Sequence, residues 1–164
     1  MTFRPFATAM LRAALSALLL LGSGAAAETP TTVKVYKSPT CGCCDAWVDH
    51  LKENGFTVET ENRDDMESIK AENGIPAKLR SCHTGFVGGY FVEGHVPAAD
   101  LKRLLKEKPA VAGLSVPDMP IGSPGMEGPN AEAYDVLAVE NGGGTRVWAS
   151  HPAARREAAG AHAH

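Results

Sequence analysis

The chain has 164 residues, enough for one domain with a real core, and a formal net charge of −3. Sixteen basic against nineteen acidic residues leave no basic footprint, which excludes nucleic acid as a partner. Four cysteines are then the chemistry to explain.

Residues 1–27 read as a secretory signal. Arg4 and Arg12 supply positive charge, and Ala13 to Leu21 is an apolar run too short to span a bilayer stably. Ala25-Ala26-Ala27 fits a small-residue cleavage site before Glu28. Because the run is short and ends in Gly and Ala, an uncleaved anchor is the weaker reading. The expected division is a signal over 1–27, one domain over 28–150 and a disordered His-containing tail over 151–164. The expected location is the periplasm, with no membrane contact after cleavage.

Val33 to Tyr36 alternates apolar and polar and predicts a strand. Ser38-Pro-Thr-Cys-Gly-Cys-Cys-Asp45 follows, holding three cysteines. Trp47, Val48 and Leu51 then fall on one helix face. The cysteines therefore sit on a strand-to-helix turn, with Ser38 or Thr40 as cap and Pro39 ending the strand. Free amide groups and the dipole at such a helix start favour thiolate. Gly55 is expected to close the helix in a left-handed conformation.

Phe56 to Glu59 predicts a second strand and Asp64 to Asn73 a short helix with Met66 and Ile69 inward. After Ile75-Pro76 and Cys82-His83 comes a hairpin: Phe86-Val87, a Gly88-Gly89 turn, then Tyr90 to Val92. Pro97 opens a helix with Leu101, Leu104 and Leu105 on one face, and Pro109 stops it. Residues 109–130 are so rich in Pro and Gly that no regular structure is expected, and Met119 and Met126 lie in this loop. Tyr134 to Val139 and Thr145 to Trp148 predict a closing hairpin.

The order β-α-β-α-β-β-α, with cysteines on the first βα turn, predicts an α/β fold of thioredoxin-like arrangement: a central mixed sheet flanked by helices. In that arrangement Cys82-His83 and Gly94-His95 come toward the turn.

An exported chain meets an oxidising compartment, where disulfides usually form, and four cysteines allow three full pairings. Cys41, Cys43 and Cys44 are nevertheless crowded for a plain disulfide staple, and suit a metal or redox chemistry better. Soft sulfur ligands select Cu(I), Zn(II) or iron–sulfur clusters. Exported iron–sulfur proteins need a twin-arginine leader, and Arg4 and Arg12 are well separated. Structural zinc usually draws on separated Cys pairs. Adjacent Cys43 and Cys44 can instead bridge several Cu(I) ions, with Cys41 and Cys82 completing four thiolates. His83 and His95 are candidate imidazole ligands, and Met119 and Met126 candidate thioethers or a lid. His50, seven residues past Cys43, is expected on the surface, and Trp47 and Trp148 in the core.

Thr40-Cys-Gly-Cys-Cys44, Ser81-Cys-His-Thr84, Gly89-Tyr90, Glu93-Gly-His-Val-Pro97 and Met119-Pro-Ile-Gly-Ser-Pro-Gly-Met126 together resemble the CopG-like periplasmic copper-resistance proteins. The resemblance covers Val33 to Trp148. It implies a thioredoxin-like fold and a cysteine-bridged multinuclear copper site on Cys41, Cys43, Cys44 and Cys82. Other periplasmic copper-handling proteins are then expected partners. A turnover reaction does not follow from it.

The rival reading is a thiol–disulfide oxidoreductase with Cys41 as nucleophile and Cys44 as resolving thiol. Cys43 argues against it, since a third thiol beside the pair traps mixed disulfides. Such an enzyme also needs a cis-proline loop beside the motif, where Cys82-His83 stands instead.

Overall fold

The structure, a computed structural model, describes residues 31–153. The expected signal and residues 154–164 of the expected tail lie outside them.

A seven-stranded sheet in the order β2-β1-β3-β4-β5-β6-β7 carries the molecule. The chain runs β1 (Thr32–Lys37), α1 (Gly42–Glu53), β2 (Thr57–Asn62), α2 (Met66–Glu72), β3 (Thr84–Val87), β4 (Tyr90–Glu93) and α3 (Ala98–Glu107). It continues through β5 (Val111–Ser115), β6 (Tyr134–Glu140) and β7 (Thr145–His151). β1 pairs parallel with β2 and antiparallel with β3, and β4 pairs parallel with β5, so the sheet is mixed.

Successive residues of a strand point to opposite faces, and the core divides accordingly. Val33, Val35, Val92, Leu114, Val136 and Ala138 join Trp47, Val48 and Leu51 of α1 and Leu101 and Leu104 of α3 in one buried cluster. Phe91 and Val139, the strand neighbours of Val92 and Ala138, face the other way and pack on Ile75 and Leu79. The apolar stripes of α1 and α3 thus decide which face those helices cover.

The expected elements are present in the expected order, with shifted ends. Gly55 is left-handed (φ +87°) just past the α1 C-cap, Asn54. Three local expectations are corrected. The N-cap of α1 is Cys41, with no side-chain cap bond; Ser38 contributes its carbonyl to the Cys41 amide instead. Pro97 is the N-cap of α3 rather than its first helical residue. His151, read as the start of the tail, is the last residue of β7, where its Nε2 lies 2.7 Å from Asp100 Oδ2.

The largest correction is β5, in a stretch where no regular structure is expected. Pro109 and Pro117 bracket the strand rather than interrupt it. Between β4 and β6, Val111 to Ser115 is buried at four of its five positions. Such a central strand reads as a short apolar run without alternation. Gly113 belongs there for a steric reason: a Cβ would strike the Phe91 carbonyl oxygen and lie 2.6 Å from the Phe91 ring. Gly113→Ala is expected to destabilise the fold by about 1–3 kcal/mol, as overpacking a tight interior does. Urea unfolding of the two proteins checks it.

His50 is half-buried, not a surface residue: its Nε2 accepts the Ala98 amide at 3.1 Å, tying α1 to the start of α3. Burial pushes its pKa down, with Glu53 and Glu127 opposing. The unfolded chain therefore holds this proton more tightly than the folded one. Stability from His50 is full above the unfolded value of about 6.5 and is lost as pH falls below it. Urea unfolding at pH 7.5 and 5.5 is expected to show a larger loss for the native chain than for His50→Gln, which keeps an acceptor but does not titrate.

Candidate metal centre

The turn after β1 and the turns flanking β3 and β4 meet at one end of the sheet. β1 ends at Lys37, which is buried; its Nζ reaches Asp45 Oδ1 at 2.9 Å and donates to the Ser38 carbonyl. This ties the end of β1 to the first turn of α1 and fixes the loop carrying Cys41, Cys43 and Cys44. β3 and β1 are antiparallel, so Cys82-His83 enters β3 where β1 ends. β4 returns beside β3 with Thr84 opposite Glu93, which brings Gly94-His95 to the same end.

The sulfurs of Cys41, Cys43, Cys44 and Cys82 all lie within 4.8 Å of one another. Cys82 also forms a group of the same compactness with His83 and His95. Its sulfur is 3.3 Å from His83 Nδ1 and 3.1 Å from His95 Nε2. Both imidazoles are fully buried. Cys82 is thus common to a sulfur group and a nitrogen group.

The tautomer of His95 follows from its other nitrogen. Nδ1 lies 2.7 Å from the Pro124 carbonyl, which can only accept, so Nδ1 carries the proton. Nε2 then offers its lone pair to Cys82, the orientation a metal-binding histidine needs. His83 Nε2 has no hydrogen-bond partner among the described residues. Burial, His95 and Lys70 hold His83 neutral, well below the ordinary histidine range. Burial lowers His95 too, against the pull of the Pro124 carbonyl and Glu127. Neutral imidazole is the form that binds metal. Burial, aided by nearby Cys43, pushes the Cys82 thiol up to about 11.

Against His83 lies Trp47, fully buried, the two ring centroids 4.2 Å apart. Its Nε1 donates to the Val96 carbonyl at 2.9 Å, just past His95. Above α1, the loop after β5 closes on the site. Gly125 (φ +82°) lies against the helix so tightly that a Cβ would be 2.7 Å from Trp47 N and 2.8 Å from Cys43 O.

The methionines are placed differently. Met126 follows Gly125 on the covering loop and is half-buried. Met119 is 47% exposed and lines a groove with Val116, Pro120, Glu132 and Tyr134. Trp148, expected in the core, is buried there with Arg103 stacked on its ring at 4.1 Å.

Two solved structures described as copper resistance protein copG, in a form 1 and a form 2, align with this chain at 43% identity and a TM-score of 0.72. The alignments cover 76% of this chain and 99–100% of theirs. The chain belongs to the CopG family of copper resistance proteins. A family profile described as a protein of unknown function, DUF411, matches residues 79–126, the segment that holds Cys82, His83 and His95. No curated protein matches. Among the described residues no helix is long and apolar enough to cross a membrane.

Two of the four cysteines depart from expectation. Cys41 and Cys44 are joined by a disulfide, leaving Cys43 and Cys82 as the free cysteines. The four thiolates expected from sequence are therefore two thiols and a disulfide in this state. The reason is proximity: a C-x-x-C pair at a helix start has its α-carbons 5.4 Å apart, within ordinary disulfide reach.

Lys37, Lys70 and Glu93, all buried around this site, escape sequence reasoning. A lysine on a short amphipathic helix or at a strand end reads as solvated. Lys70 belongs to α2 and Glu93 to β4, so only the packing of α2 on the sheet brings them together.

Thiol counting in denaturant is expected to find two reactive cysteines per chain before reduction and four after it. Tryptic mapping should assign the protected pair to Cys41 and Cys44.

Proposed function

We propose that this is a periplasmic copper-binding protein of copper resistance that holds several Cu(I) ions on Cys41, Cys43, Cys44, Cys82, His83 and His95. The observation that carries the reading is Cys82, shared by the four-sulfur group and the Cys-His-His group. A bridging thiolate between two such groups suits a multinuclear site. Thiolates and imidazoles together also accommodate both Cu(I) and Cu(II), so redox cycling at the site is part of the proposal. Of the two methionines, Met126 is the better candidate for an added thioether, because its loop packs on Cys43. Full loading requires opening Cys41–Cys44: two electrons and two protons from a dithiol reductant convert the disulfide to two thiols.

A second reading has one observation in its favour. The disulfide joins the two cysteines that a thiol–disulfide oxidoreductase would use. Cys43 stands against it, with its sulfur 3.5 Å from that of Cys41, where it competes with Cys44 to resolve any mixed disulfide.

Titration of the reduced full chain with Cu(I) against a competing chelator is expected to saturate above one ion per chain, and Cys82→Ser to lower that number. Copper should protect all four cysteines from alkylation, and the metal-free protein should reduce insulin slowly. Saturation at one ion or fewer removes the multinuclear site; brisk insulin reduction with copper-indifferent alkylation selects the oxidoreductase. The pH dependence has a definite sign. With its pKa near 11, Cys82 is protonated at neutral pH, and Cu(I) must displace that proton. Apparent affinity should therefore rise with pH, by about tenfold per unit for one proton released.

A further inference from the structure

Under the copper site lies a buried charged network that the ligand set does not use. Glu93 and Lys70 are 0% and 1% exposed. Lys70 Nζ donates to Glu93 Oε1 at 2.5 Å and to Thr84 Oγ1 at 3.0 Å. Glu93 Oε1 also accepts the Ser81 amide at 2.6 Å, and Oε2 accepts the Thr84 hydroxyl at 2.7 Å.

Ser81 and Thr84 are the residues on either side of Cys82-His83. One carboxylate therefore grips both flanks of the dipeptide that supplies a sulfur and an imidazole. The same residue is followed by Gly94-His95, and the Gly94 amide donates to the His83 carbonyl at 3.1 Å. Both loops that deliver ligands from β3 and β4 are thus referred to a single anchor.

Stability alone is a poor explanation for it. Taking two charges out of water costs more than a surface pair returns, and an apolar pair of similar volume often serves a core as well or better. What an apolar pair lacks is two acceptor oxygens on one rigid group. Ser81 N and Thr84 Oγ1 use one each, Oε1 and Oε2, from the two flanks of the ligand-bearing dipeptide. Lys70 supplies the countercharge and, through Thr84, a second link to the same turn.

We propose that Glu93, held by Lys70, is a positioning residue of the copper site: its bidentate grip on Ser81 and Thr84 sets where Cys82 and His83 stand relative to His95 and the cysteines of α1. The proposal rests on the copper reading above.

The test uses the reduced full chain with the double substitution Lys70→Met/Glu93→Met. It removes the charges together with both acceptor oxygens, so that neither Ser81 nor Thr84 keeps its link to this position. Thermal unfolding by circular dichroism reads the fold, and Cu(I) competition titration with thiolate-to-copper absorption reads the site. The expected result is a cooperative melt with Cu(I) affinity weakened roughly 10–100-fold, the usual consequence of losing a group that orients a ligand. The absorption band should change as well, which a loss of stability alone does not cause. A folded double variant with native affinity and spectrum overturns the proposal. If the double variant does not melt cooperatively, Thr84→Val decides, since it removes only the hydroxyl at near-constant volume: weakened Cu(I) binding upholds the proposal and native binding overturns it. Failure of the unsubstituted chain to bind Cu(I) in the same titration is a failure of the copper reading, and is distinguishable from both.

Discussion

Trp47 is the contact through which the parts of this site reach one another. It belongs to α1, one turn after Cys43 and Cys44. Its ring lies against His83 and against Gly85 of β3, where a Cβ would be 3.6 Å away. Its nitrogen holds the Val96 carbonyl, next to His95. Its backbone amide is where Gly125 of the covering loop touches down. The start of β3 and the Val96 turn are thus set against one rigid side chain with a fixed donor, and the covering loop meets its backbone. A large aromatic ring does this better than an aliphatic chain, because it has few torsions and a polar edge that must find a partner when buried.

Around that ring the protein buries groups that water normally keeps at the surface. Two neutral histidines, a thiol with a high pKa, two lysines and a glutamate all lie within the same end of the sheet. Desolvation disfavours charge on each histidine and on Cys82. The result is a group of cysteines and histidines that carries little charge of its own yet is rich in donors, with the His95 lone pair turned to Cys82. Lys37 and Lys70 add positive charge nearby, felt at His83 as a further depression. Such cations also offset the negative charge that thiolates acquire when they bind metal.

The disulfide gives the site two chemical faces. With Cys41–Cys44 closed, Cys43 and Cys82 remain as thiols beside the two imidazoles. With it opened, the same compact space holds four thiols. Lys37, paired with Asp45, and Gly125, packed on Cys43 and Trp47, hold this turn through contacts that do not involve the disulfide.

Much of this was legible in the chain. Alternation in Val33–Tyr36 and the helical spacing of Trp47, Val48 and Leu51 reflect periods that local geometry imposes, so β1, α1 and the cysteine turn could be read directly. Leu101 and Leu104 marked α3 for the same reason, and the order of elements implied that Cys82, His83 and His95 meet the turn. β5 was hidden because a strand buried between two others has no polar face, and its flanking prolines and glycines masked it. The partner of His50 and the Lys70–Glu93 pair were decided only by tertiary structure. Each joins groups whose local sequence carries no sign of the other: an imidazole and an amide 48 residues on, or a lysine and a carboxylate 23 residues apart. A sequence determines periodicity, and therefore which face of each element is buried. Which buried polar atom faces which depends on the register and crossing of elements, and that is settled only when the sheet is assembled.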